Sequence, residues 1–502
     1  MFASRKLTRI SWIDQVQQRQ GFLILGILAL ALLLRLWNLG GESVWIDEAY
    51  SIDLARHGFA AVIQGTAADQ HPPLYYLLLH IWLWFGSGVA FARLLSVLTG
   101  VAHIGLVISL GKRLGGQWLG LGGGLLLAIS PMHIWYSQEI RMYILLAAFT
   151  TAATIALWDC LQGKNRWFLY GLFTVLSLYT QYFAAFVLLA HGLLVLAWVW
   201  RQHRPRFLLP YAATLLLSGL AFSVWIPTAI NQTRFHTMTW IQPPRAGEVV
   251  DTLLRLLLGS GILVLPVILR WLALAALLAL AWWAVRRLLS QHPSQPWAFA
   301  YLAAWAWIPF LAISGVSLGY PIFQFKQFII VLTPLLLWAV WTARLLPRWP
   351  GLLFLAGILA LNGAASLYQQ VVVTKDDWRG AAIYIQEHAR PGDVVYGNPA
   401  ASKAALDLYW QSPLPFLGYP PGYDIVQGGW DEPIITEQIA GQELRAAFQN
   451  HPRLWLVEFS PEFRDPNQEI PAWLQQHARL LDERSFGRLH VRLYARLQEG
   501  QP

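Results

Sequence analysis

The segment Trp45-Ile-Asp-Glu-Ala-Tyr-Ser51 sets two carboxylates side by side, just past the first long apolar run, in a stretch otherwise rich in glycine and aromatic residues. Adjacent acids at the rim of a membrane cavity could divide proton chemistry between them, Asp47 accepting a proton from an attacking hydroxyl and Glu48 orienting a ligand. The same pair would suit the first turn of a helix over 48–57, because acids are stabilised at the positive end of a helix. Farther along, His71-Pro-Pro-Leu-Tyr-Tyr76 reads as the end of a loop and the opening of a helix, since proline fits the first helical position. That arrangement would hold His71 at the bilayer surface near the acids; a stop signal beside an incidental histidine fits equally well. His71, His133 and His236 lack ligand-like spacing, so no metal site is expected.

Ser137-Gln-Glu-Ile-Arg-Met-Tyr143 separates two apolar runs with Glu139 and Arg141. An uncompensated charge there is expensive, so the two either neutralise each other or meet a charged ligand. We read Arg141 as directed at a phosphate or partner acid, with Glu139 holding it and Tyr143 in support. In Tyr320-Pro-Ile-Phe-Gln-Phe-Lys-Gln-Phe328, Lys326 is a lone cation among aromatics. Its stem could snorkel to lipid headgroups, or its ammonium could meet a bound phosphate with Tyr320 nearby. No Gly-rich nucleotide loop is present: Gly120-Leu-Gly-Gly-Gly124 lies inside an apolar run and reads as close helix packing. Asp-x-Asp is absent, so neither a metal clamp for a nucleotide sugar nor any other cofactor is expected. Asp376-Asp377-Trp-Arg379 reads as a helix cap.

The elements that must position these residues follow from composition. Of 502 residues, 56% are hydrophobic and 13% charged, against roughly 25% charged in soluble proteins, which excludes an ordinary soluble enzyme. Apolar segments near 21–38, 90–111, 117–134, 141–161, 167–180, 183–200, 207–229, 262–285, 297–315, 328–346 and 351–368 fit about eleven membrane spans. Basic clusters at Lys112-Arg113, Lys164/Arg166, Arg201/Arg204/Arg206, Arg286-Arg287 and Arg344/Arg348 mark cytoplasmic turns. With the N-terminus inside, as a retained anchor, this puts loop 39–89 and everything after residue 370 outside the cell (inner) membrane. His71–Phe85 is apolar but short; letting it cross would invert every later loop and put the basic clusters outside, so we expect it to lie at the outer interface or half-inserted.

Charge locates the domain boundary. Residues 1–370 hold 24 basic and 10 acidic residues (+14), whereas 371–502 hold 12 and 17 (−5). The net +9 therefore reflects membrane topology and gives no sign of nucleic acid. We expect a transmembrane domain over 1–370 and a soluble extracytoplasmic α/β domain over 371–502. Within the latter, 378–388, 400–410 and 470–481 read as helical, and 393–396, 454–459 and 489–495 as extended. The lone Cys160 allows no intrachain disulfide.

Taken in order, these motifs resemble glycosyltransferase family 39 and its relatives of the GT-C fold, which include protein O-mannosyltransferases and lipid A aminoarabinose transferases. The resemblance rests on Asp47-Glu48 in the first outer loop, His-Pro-Pro at 71–73, Glu-x-Arg-x-Tyr at 139–143 and Lys326 before the tenth span, and it covers most of the chain. Two departures are visible: the tail lacks the β-trefoil of the protein O-mannosyltransferases, and Lys326 stands where many relatives carry Arg. The resemblance implies transfer of a sugar from a polyprenyl-phosphate carrier to a hydroxyl of a lipid, glycan or protein acceptor at the outer face. Inverting displacement would be direct: Asp47 as base, Glu48 orienting, Arg141 and Lys326 offsetting the phosphate charge, and His71, Glu139, Tyr143 and Tyr320 in support. A lipid-linked sugar transporter or flippase is the alternative, although such proteins usually place charge at the midplane and show inverted repeats.

Overall fold

In hydrocarbon a chain satisfies its backbone only by hydrogen bonding within itself, so long uncharged runs of Leu, Ala, Val and Trp form helices. A computed structural model describes residues 3–235, 241–291, 296–410, 414–428 and 433–497; His236 lies outside them. Among the described residues, nine helices are long and apolar enough to cross a membrane: Arg19–Leu36, Val89–Gly115, Tyr143–Leu161, Ala184–Gln202, Pro205–Ser223, Val267–Arg287, Trp297–Val316, Phe325–Leu345 and Arg348–Val371. The other two expected segments are helical but differ in form. Gln117–Ile129 and Pro131–Ser137 form a pair bent by 64°. Trp167–Thr180 has 14 residues, about 21 Å at 1.5 Å per residue. In the 71–85 segment the helix is Leu74–Trp82, nine residues long, which at about 13 Å falls far short of a ~30 Å hydrocarbon layer. The chain is a multi-pass helical membrane protein.

Tyr143–Leu161 and Phe325–Leu345 are largely buried, while Val267–Arg287 presents Ile268, Leu272 and Trp282 outward. The glycine run at 120–124 is a close-packing device. A Cβ on Gly111 would come within 2.6 Å of the Gly120 Cα, and one on Gly123 within 2.3 Å of Leu337.

Packing divides the chain into two compact units. The first comprises Met1–Trp37, Arg93–Val224 and Ile241–Val373 and carries the long apolar helices. The second comprises Asn38–Ala92, Trp225–Trp240 and Thr374–Pro502, so the chain after the last span shares its unit with the loop expected over 39–89. Named bonds tie them: the Val44 N–H donates to the Tyr409 hydroxyl at 3.0 Å, and Arg379 donates through its N–H to Ser43 Oγ at 3.1 Å and through its guanidinium to the carbonyls of Gly40 and Gly41.

The second unit holds a five-stranded sheet of β1 (Val394–Asn398), β2 (Phe416–Gly418), β3 (Arg453–Glu458), β4 (Ala478–Phe486) and β5 (Leu489–Arg496), in the order β2-β1-β3-β5-β4. β1 runs parallel to β2 and β3, and β5 antiparallel to β3 and β4. Alternation along β3 sends Leu454 and Leu456 to a core with Leu444, Phe448, Trp473 and Leu474, while Trp455 meets Tyr384 of the Trp378–His388 helix. That helix has the expected bounds, and Asp377 caps it by accepting from the Gly380 N–H at 2.8 Å. The helix expected over 470–481 ends instead at His477. Gly487, at φ +71°, turns the chain into a hairpin, so the residues before it pair with β5 and extend. The helix expected over 400–410 is confined to Ser402–Asp407.

Candidate functional site

The helix Ile46–Ala55 carries Asp47 and Glu48 in its first turn. The Trp45 N–H donates to Glu48 Oε2 at 3.4 Å, which serves one of the donors a helix start leaves unpaired. Glu48 is fully buried, and Lys375 Nζ donates to the same oxygen at 3.0 Å with its own side chain 7% exposed. A carboxylate so placed needs a buried cation, and Lys375 supplies it. Asp47 is half-buried; its carbonyl accepts from Ser51 Oγ at 2.8 Å. The neighbouring acids therefore have unlike surroundings. Lys375 carried no signal in its own residue type, being one basic residue just after the last span.

His71 is half-buried ahead of the buried Pro72 and Pro73. The helix they open packs on the acid-bearing helix, where Tyr76 meets Tyr50 edge-on with ring centroids 6.3 Å apart. Farther along that helix, burial raises the Asp53 carboxyl above its ordinary pKa; His57 opposes the shift and Asp407 adds to it. The Tyr423 hydroxyl is also pushed upward, first by burial and then by the charges of Asp69, Asp53 and Asp424.

In the first unit, residues 138–142 form a turn between Pro131–Ser137 and Tyr143–Leu161. Glu139 and Arg141 are buried in it, at 1% and 4% exposure. Tyr143 opens the next helix, and Lys326 Nζ stands 5.7 Å from its ring centroid, within cation–π range. Tyr136 meets the same ring at 5.1 Å. One further cation belongs to this neighbourhood: the Arg255 guanidinium lies 3.8 Å over the Phe325 ring, and burial lowers its pKa against the opposing influence of Tyr136 and Asp251. Its signal in the sequence was a lone Arg in Thr252-Leu-Leu-Arg-Leu-Leu-Leu258. Tyr320 is 42% exposed. Among the described residues, no group of three or more His, Cys, Asp and Glu side chains could hold a metal ion. A cavity of about 810 Å³ lined by Arg204, Arg206, Trp198 and Trp297 opens at the Leu161 end of Tyr143–Leu161, at the opposite end of that helix from Tyr143.

No family model and no curated protein matches the sequence. Solved structures do match the fold. ArnT from Cupriavidus metallidurans in the apo state aligns at TM-score 0.59 and 15% identity, over 95% of this chain and 98% of that one. The chain has the GT-C fold. The same ArnT bound to undecaprenyl phosphate aligns at TM-score 0.58 and 16% identity, over 94% of this chain and 98% of that one. The GT-C likeness extends to the archaeal oligosaccharyltransferase AglB from Archaeoglobus fulgidus, in complex with an inhibitory peptide and a dolichol-phosphate. That alignment has TM-score 0.53 and 11% identity, over 95% of this chain and 75% of AglB.

Proposed function

We propose that this protein transfers a sugar from a polyprenyl-phosphate donor to an acceptor hydroxyl at the outer face of the inner membrane, by direct inverting displacement. The observation that carries the reading is the GT-C fold shared along nearly the whole chain with a protein whose structure holds undecaprenyl phosphate. Chemistry supports it. A polyprenyl phosphate leaves readily once cations offset its developing charge, and its tail can lie in lipid between helices.

In this reading Asp47 takes the acceptor proton as the hydroxyl oxygen bonds to the anomeric carbon, and the bond from that carbon to the phosphate oxygen breaks. The carrier departs as polyprenyl phosphate. Asp47 is given the base role because it is half-buried, whereas Glu48 is fully enclosed beside Lys375. Glu48 instead holds the helix start in place. Arg141 and Lys326 offset the phosphate charge, joined by Arg255, while Glu139 orients Arg141. Tyr143 shapes the surroundings of Lys326, and His71 and Tyr320 are supporting or substrate-binding residues.

The test is binding of undecaprenyl phosphate to the protein in nanodiscs. Arg141→Ala is expected to weaken it about tenfold or more, and Arg141→Lys to recover only part, because a charge-assisted bidentate contact is lost. Unchanged affinity in folded Arg141→Ala and Lys326→Ala variants would remove the phosphate role from both residues.

A further inference from the structure

The bent pair Gln117–Ile129 and Pro131–Ser137 poses a local problem. A 64° break at Ser130 and the missing N–H of Pro131 interrupt the helical bonding of the last carbonyls of the first helix, where Leu127 keeps only a long bond from the Ser130 N–H at 3.4 Å. Arg35 answers it. Its side chain is fully buried, and all five of its N–H groups find acceptors. NH1 donates to the carbonyls of Ala31 at 2.9 Å and Ala128 at 3.0 Å; NH2 donates to the carbonyl of Leu127 at 3.3 Å and to His133 Nδ1 at 2.6 Å; Nε donates to Ser137 Oγ at 3.2 Å. Every one of these acceptors is uncharged, and the guanidinium sits where the negative end of a helix dipole favours a cation. Ser366 Oγ and Gln369 Nε2 serve the neighbouring carbonyls of Ile129 and Pro131.

The contact with His133 has a directional consequence. A guanidinium can only donate, so His133 Nδ1 accepts and its proton resides on Nε2. That proton points at His103 Nδ1, 3.0 Å away, which places the His103 proton on Nε2, facing Thr151 Oγ1 at 2.9 Å and Thr333 Oγ1 at 3.2 Å. One buried cation thus orders a chain of side chains drawn from five helices. The approach is close: a Cβ on Gly100 would come within 2.4 Å of Ser137 Oγ.

We propose that Arg35 is a positioning residue for Glu139 and Arg141: by clamping both sides of the break, it fixes where the Pro131–Ser137 helix ends and hence where the turn 138–142 delivers its buried charges. Gln138 reinforces the clamp, donating from Nε2 to the Arg35 and Trp37 carbonyls at 3.1 and 2.9 Å. The inference rests on the proposed role of Arg141 at the carrier phosphate. Arg35 touches no reacting atom.

The test uses the full chain in nanodiscs with two variants, Arg35→Lys, which keeps the charge but cannot span five acceptors, and the milder Ser137→Ala. Backbone hydrogen exchange is expected to rise at least tenfold within 130–142 in both, while the Tyr143–Leu161 helix keeps wild-type protection. Affinity for undecaprenyl phosphate should fall at least fivefold with the midpoint of thermal unfolding retained. In nitrogen-15 spectra, His133 and His103 should show Nε2-protonated rings in the wild type and lose that uniform pattern in Arg35→Lys. Wild-type exchange across 130–142 in both variants would overturn the proposal, as would exchange raised throughout the chain in both, which is what a purely structural core residue gives. If the wild type itself fails to bind the carrier lipid, the phosphate reading falls, and the exchange data still decide whether Arg35 positions the turn.

Discussion

Successive side chains on a helix point about 100° apart, and that rotation separates Asp47 from Glu48: one is half-buried, the other fully enclosed with Lys375. A run of two acids discloses that a carboxylate matters but not which of them pairs with Lys375, because that lysine lies 327 residues away in the chain from Glu48. Asp53, farther along the same helix, feels the charges of His57, Arg56 and Lys403, which favour its ionised form without outweighing burial. Its pKa is raised by burial above all, so the folded protein favours the protonated acid. The sign follows: Asp53 contributes nothing adverse below its ordinary pKa, and it destabilises the fold as pH rises through the raised value. Asp53→Asn is therefore expected to raise the thermal unfolding midpoint at pH 7.5 and to leave it nearly unchanged near pH 3, as scanning fluorimetry in detergent would read. A lower midpoint at pH 7.5 would show that the ionised group is favourable where it stands.

At the scale of elements, the Glu48–Lys375 pair joins the first turn of Ile46–Ala55 to the strand-and-helix region after the last span, both within the second unit. Removing one member of a buried pair strands the other charge. Lys375→Met is thus expected to destabilise by about 3–5 kcal/mol, and adding Glu48→Gln should recover most of that loss. Equal stabilities for the single and double variants in denaturant titration would mean that the pair is solvated in practice. The long apolar runs were legible because hydropathy and helix length are local properties, and so was Trp378–His388, whose cap and pattern lie within its own residues. The break at Ser130-Pro131 was obscured by apolar residues that continue on both sides. β2 escaped notice because three residues, Phe416–Gly418, carry no measurable alternation, and β4 because Leu480 and Leu481 extend a helical pattern that only pairing with β5 overrides. Arg35 and Arg255 each looked like one basic residue in an apolar run; what distinguishes them is tertiary.

For the whole molecule, the arrangement of basic clusters sets a topology that can be read in intact cells. In a Cys160→Ala background, cysteines at the exposed positions 56 and 387 should react with an impermeant reagent once the outer envelope is opened, and one at 202 should not. Labelling at 202 with protection at 56 would invert the chain. Sugar transfer from synthetic polyprenyl-phosphate donors in reconstituted membranes decides whether this GT-C protein is a transferase with Asp47 as its base. Wild-type protein should transfer from at least one such donor. Asp47→Asn keeps shape and hydrogen-bonding capacity but loses basicity, so turnover should fall by a factor of about 10² or more while undecaprenyl phosphate still binds and the unfolding midpoint holds. Near-normal transfer by Asp47→Asn would contradict the base assignment, and carrier movement across the bilayer without transfer by the wild type would contradict the enzyme.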